Sequence, residues 1–75
     1  MKKYRVFCGS SAVGPWTSYI MACHTVEECL VTKPVGLVTI VRQSDKLQVS
    51  ATIALERSDL TTDQLFSDYG RPDTV

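Results

Sequence analysis

Two short signatures constrain this chain more than anything else in it: Thr25-x-x-Glu28 and Thr61-x-x-Gln64. In such a box the threonine hydroxyl accepts from the backbone N–H three residues on. The Glu or Gln reaches back, so two donors that a helix start leaves bare are satisfied together. Each box follows an extended apolar segment, and the chain therefore reads as two strand-rich halves that each close with a helix. The expected fold is α+β, a small antiparallel sheet packed by two short helices in approximate ββαββα order. It occupies residues 1–70 and leaves a short frayed tail at 71–75.

Residues 3–8 alternate Tyr4, Val6 and Cys8 with Lys3, Arg5 and Phe7, a half-buried strand whose second face still carries one large ring. Residues 9–15 hold two glycines and a proline and read as the turn to the next strand. Residues 16–23 fit two templates. Trp16, Tyr19, Ile20, Cys23, Val26 and Leu30 lie at helical spacing, but Trp, Thr, Tyr and Ile favour extended structure, and a fresh cap at Thr25 would be redundant inside a continuous helix. A strand is expected there, with the first helix over residues 26–32 and stopped before Pro34.

Residues 35–41 and 46–55 read as a hairpin joined by residues 42–45, with Gly36 an ordinary strand-end glycine. The second helix spans 62–69. Leu60 and Leu65 staple its start, and Gly70 is expected as a left-handed C-cap before Pro72.

At 75 residues there is room for one modest core, so a homodimer is compatible with the size. Eight basic and eight acidic residues cancel, which disfavours a nonspecific polyanion binder, since many phosphate contacts require excess positive charge. Lys2, Lys3, Arg5 and Lys33 lie in the first half, and Asp59, Asp63, Asp68 and Asp73 make the C-terminal part acidic. Three cysteines cannot all pair within one chain and no secretory signal precedes them, so reduced thiols and a cytoplasmic location are expected. No run of apolar residues is long enough for a membrane span.

Chemistry has few footholds. Cys8, Cys23, His24 and Cys29 have the ligand types of a zinc site but no Cys-x2-Cys pair, and Cys23 and His24 are adjacent. His24 and Cys29 are badly spaced for a thiolate–imidazole pair, and Glu27 and Glu28 diverge around a helix. Gly9, Ser10, Ser11 and Gly14 lack the remainder of a phosphate loop. No enzyme activity, metal or cofactor is expected.

Aromatic residues carry the functional expectation. Tyr4, Phe7, Trp16 and Tyr19, with Arg5 adding orientation, are expected to anchor a protein partner on an exposed sheet face or edge, as in an inhibitor, adaptor or assembly accessory. The second reading is a single-stranded nucleic-acid-binding protein using the same rings with Lys2, Lys3, Arg5 and Arg42. The capping boxes themselves occur in unrelated folds and import no function.

Overall fold

Tyr4 and Val6 alternate with Arg5 and Phe7, and the pleat sends the first pair to the buried face of β1 (Tyr4–Cys8). Gly9, at φ 64°, turns the chain back in a conformation open to glycine without a Cβ clash. β2 (Ser11–Thr17) pairs antiparallel with β1 from Cys8↔Ser11 to Tyr4↔Thr17, and the register shifts between Tyr4 and Val6. That shift is a bulge holding Gly14, at φ 76°, and Pro15, and Arg5 Nε fastens it by donating to Gly14 O at 2.8 Å. The turn expected over residues 9–15 is thus confined to Gly9 and Ser10. An edge strand admits a proline because its missing N–H costs no ladder bond.

The computed structural model describes residues 2–32 and 37–72. Within them, the expected strand over 16–23 is corrected: β2 ends at Thr17 and one continuous helix, α1 (Tyr19–Val31), follows. Ser18 is its N-cap and accepts from Met21 N at 3.4 Å. Thr25 is a mid-helix residue whose hydroxyl donates to Met21 O at 3.1 Å, so its capping box is not used. Burial decides the matter, because Ala22 and Val26, flanked by Tyr19 and Cys29, form a stripe that packs on the sheet. A start at Val26 would have left most of that stripe unburied.

β3 (Val38–Arg42) and β4 (Leu47–Ser50) form the expected hairpin, paired through Ile40↔Val49. β4 is shorter than the pattern suggested. Ser50 stands opposite Thr39, near the start of β3, so little partner strand remains beyond it, and the chain turns into α2 (Ala51–Glu56), which buries Ala51 and Ala54. α1 ends at Val31 with Thr32 as its C-cap, so the helix stops before Pro34 as expected, and Gly36 lies outside the described residues.

α3 (Thr62–Tyr69) starts as expected, with Thr61 Oγ1 accepting from Gln64 N at 3.2 Å. Gln64 does not reach back; its Nε2 donates to Asp68 Oδ2 at 2.9 Å. Gly70 is extended (φ −66°, ψ 140°), not left-handed, because it leads straight into β5 (Arg71–Pro72), which pairs with β4. Those two residues were expected in the frayed tail; residues 73–75 lie outside the described part.

The fold is α+β, with a five-stranded antiparallel sheet in the order β2-β1-β3-β4-β5. Tyr4, Val6, Val38, Ile40 and Val49 from the strands meet Ala22, Val26, Ala54, Leu65 and Phe66 from the helices in one core, so all three helices lie against the same face. The element order is ββαββααβ, one helix and one strand more than expected. Among the described residues no helix is long and apolar enough to cross a membrane.

Arg42 closes one end of the core. It is only 8% exposed, its guanidinium lies 4.9 Å from the Phe66 ring centre, and it donates to Asp45 through Nε (3.1 Å) and Nη2 (2.6 Å). Nη1 reaches Asp63 at 3.4 Å, and Asp63 also binds Lys2 at 2.6 Å.

Candidate functional site

The pleat places Arg5 and Phe7 of β1, Thr39 and Val41 of β3, and Gln48 and Ser50 of β4 on the sheet face opposite the helices. Trp16 joins them from the β2 bulge. Its ring lies under two cations, Lys46 Nζ at 4.7 Å and the Arg5 guanidinium at 5.7 Å from the ring centre. Val41 is 1% exposed yet stands outside the main core, while Arg5, Phe7, Trp16 and Gln48 are half-buried around it. The open face is therefore a thin packed layer of its own, not a bare sheet.

Charge divides between the two faces. Lys2, Arg42 and Arg57, on the helical side, each bind a carboxylate: Asp63, Asp45 and Asp59. Lys3, Arg5, Lys46 and Arg71 have no carboxylate partner among the described residues, and the strand alternation, the Trp16 contacts and the Gln48↔Arg71 pairing put all four on the open face. None of the residues in β1–β5 is acidic. Lys46 adopts φ 60°, the described non-glycine residue with positive φ, and it stands where its ammonium covers Trp16. A left-handed side-chain residue costs about 1–2 kcal/mol, a local strain of the kind that collects at working surfaces.

At the β5 end the open face dips into a cleft of about 290 Å³. It is lined by Thr39, Gln48 and Ser50 of the sheet, by the apolar side chains of Leu37, Ile53 of α2 and Tyr69 of α3, and by Arg71. The Tyr69 hydroxyl accepts from Arg57 Nη1 at 2.9 Å, which holds that ring in place. A cleft so lined suits a side chain with an apolar body and an anionic or amide tip.

No protein-family model, curated protein or solved structure matches the chain. The site must be read from its own residues.

Of the five residues singled out by sequence, Arg5, Phe7 and Trp16 come together on the open face. Tyr4 and Tyr19 do not. Tyr4 is 4% exposed and packs edge-on to Tyr19 (5.3 Å between ring centres) and against Phe66 (5.5 Å), so both tyrosines belong to the helical side. Alternation already separated Tyr4 from Arg5 and Phe7, but the strand expected over 16–23 hid that Tyr19 is on a helix. Arg42 and Lys2 likewise leave the basic set, one enclosed and both paired with Asp63. Lys46, Arg71 and the cleft were missed, because β5 and the positive φ at Lys46 leave no periodic trace in the sequence.

The thiols lie on the other side. Cys8 and Cys29 are close enough to influence each other, and Cys23 exchanges a hydrogen bond with the Tyr19 hydroxyl. Burial, reinforced by the neighbouring Cys8 and Glu28, pushes the Cys29 thiol above its ordinary pKa. Burial also raises Cys23, and with the Cys23 contact it raises the Tyr19 phenol strongly. These shifts favour protonated thiols, the opposite of what a cysteine nucleophile requires. His24 is on the exposed side of α1, and among the described residues no three His, Cys, Asp or Glu side chains gather as a metal site.

Proposed function

We propose that this chain is a small protein-binding module that engages an acidic segment of its partner on the open sheet face. The observation that carries this reading is the collection of Lys3, Arg5, Lys46 and Arg71, without carboxylate partners among the described residues, around Phe7, Trp16 and the cleft. Unneutralised cations steer and orient an anionic partner, and aromatic and arginine side chains concentrate binding energy. Both sheet edges are poor templates for an added strand: β2 is bulged and carries Pro15, and β5 is two residues long and ends in Pro72. Recognition therefore uses the face, with no activity beyond binding.

The same face supports a second reading, single-stranded nucleic acid, because cations beside rings also suit phosphates and bases. Two features favour protein. Trp16 already stacks against Lys46 and Arg5, leaving less ring for a base, and the helical side carries Glu27, Glu28, Glu56, Asp59, Asp63 and Asp68, which repel an extended polyanion.

The test is a tagged pull-down with wild type, Trp16→Ala, Phe7→Ala and, on the helical side, Glu56→Ala, after circular dichroism confirms folding. The expected result is one protein retained by wild type and Glu56→Ala and lost from both aromatic variants, at about 30-fold weaker binding for Trp16→Ala. Equal capture by wild type and all three variants refutes the face. Copurifying nucleic acid whose binding falls with salt at a log–log slope of about −2.8, as for four phosphates, would establish the second reading instead.

A further inference from the structure

The outer side of α1 carries a pattern that the fold does not use. Ile20, His24, Glu27 and Val31 recur at i, i+4, i+7 and i+11 and so form one stripe along the helix, away from the Ala22 and Val26 face buried on the sheet. Ile20 is 71% and Val31 80% exposed, and His24 and Glu27 between them are exposed as well. Aliphatic ends left so open on an ordered helix invite a cover.

The order of the four residues points to what that cover is. Ile20 and Val31 lie symmetrically about the point midway between Thr25 and Val26, and His24 and Glu27 lie symmetrically about the same point. A second α1 laid antiparallel across a two-fold axis at that point sets Ile20 against the partner subunit's Val31 and His24 against the partner subunit's Glu27. Each contact occurs twice, as an isologous interface requires. We propose that α1 is a self-association surface whose occupant is a second copy of this chain, held by two aliphatic pairs outside and two His–Glu pairs inside.

Charge complementarity selects this occupant. A partner helix must offer an acid opposite His24 and an imidazole or base opposite Glu27, flanked by aliphatic residues at matching distances, and the reversed copy meets all four conditions by symmetry. Antiparallel packing also sets the positive start of each helix beside the negative end of the other, where Glu28 and no basic residue occupies the last turn.

Size sets the strength. Residues 20–31 span about 16 Å of helix, and two helices 8–10 Å apart over that length bury well under the roughly 800 Å² per partner of a standard interface. The association is accordingly weak and concentration-dependent, micromolar or weaker. It stands independently of the open-face reading, since the stripe and the open face are on opposite sides of the sheet.

Sedimentation equilibrium of the full chain from about 5 µM to 1 mM tests this, with the mass expected to rise from 8.3 kDa toward twice that value. Ile20→Asp and Val31→Asp should each abolish the rise. His24→Glu and Glu27→His should each weaken association about tenfold, because like groups then face each other at two symmetric positions. The doubly exchanged variant, His24→Glu with Glu27→His, should recover most of it, an outcome that general surface stickiness cannot give. Trp16→Ala should leave the association unchanged. A wild-type chain that stays at 8.3 kDa throughout, or an exchanged variant as weak as either single one, overturns the proposal.

Discussion

Arg42→Ala is the substitution for which the structure gives the clearest magnitude. The side chain is 10% exposed, donates twice to Asp45 and covers the Phe66 ring. Hydrogen bonds between charged groups contribute about 1.5–3 kcal/mol, reduced here because Asp45 is 40% exposed and regains water when its partner goes. The guanidinium over Phe66 adds about 1–2 kcal/mol. The expected loss is about 2–4 kcal/mol, against a total stability of roughly 4–11 kcal/mol for a chain of this length, and it lowers the melting temperature by about 10–25 °C. Arg42→Met loses the charged hydrogen bonds and the cation but keeps an apolar thioether chain beside Phe66, so it should fall between Arg42→Ala and wild type. Thermal unfolding by far-ultraviolet circular dichroism measures both, and an Arg42→Ala chain within about 0.5 kcal/mol of wild type refutes the assigned role. Acid provides a second reading. The hydrogen bond from Arg42 holds the Asp45 carboxyl below its ordinary value, so its contribution is complete above the unfolded carboxyl value near 3.8 and is lost as pH falls through the folded one. The acid limb of the stability profile should therefore flatten in Arg42→Met.

The two capping signatures should respond differently. Thr61→Ala removes the hydroxyl that caps α3 and should cost about 1 kcal/mol in urea unfolding, whereas Thr25→Ala, inside α1, should change stability by less than about 0.5 kcal/mol. Gly14→Ala tests the β2 bulge. A Cβ there meets nothing within 4 Å, so backbone strain at φ 76° acts alone, and a loss of about 1–2 kcal/mol is expected in the same assay.

Where a local signal and burial agreed, the fold could be read directly. The alternation of residues 4–8, the hairpin through residues 42–45 and the start of α3 at Thr61 are each supported by pattern, turn chemistry and packing together. Where they disagreed, burial prevailed. The Thr25 box is locally sound, but α1 must begin at Tyr19 for Ala22 and Val26 to cover the sheet, and Ser18 supplies a cap that a continuous strand reading had no reason to weigh. Alternation continued through Leu55 for the same reason in reverse: the end of β4 is set by how much of β3 remains to pair, which is a property of another segment. Part of the open face was legible, since Arg5 and Phe7 share one side of a strand. The union of Trp16, Lys46 and Arg71 with them depends on a bulge, a positive φ and a strand of two residues, all fixed by tertiary context.

The placement of charge links these observations. A chain with equal numbers of acids and bases could scatter them, yet here Lys2, Arg42 and Arg57 are neutralised on the helical side of the sheet while Lys3, Arg5, Lys46 and Arg71 on the other side have no carboxylate partner among the described residues. Removing carboxylates from one face strengthens its field without changing the net charge; on the proposed reading this would keep recognition local and limit nonspecific attraction to polyanions. The closed edges act in the same direction. With Pro15 and Pro72 on the outer strands, neither edge offers a continuous row of amides among the described residues, which is why the two proposals rest on the open face and the outer stripe of α1. Pairing through α1 would turn two open faces away from each other. If both proposals hold, a weak single face would suffice, because a partner presenting acidic segments in repeat would be held at both ends of such a dimer, the second engagement being governed by effective concentration and not by additional contacts.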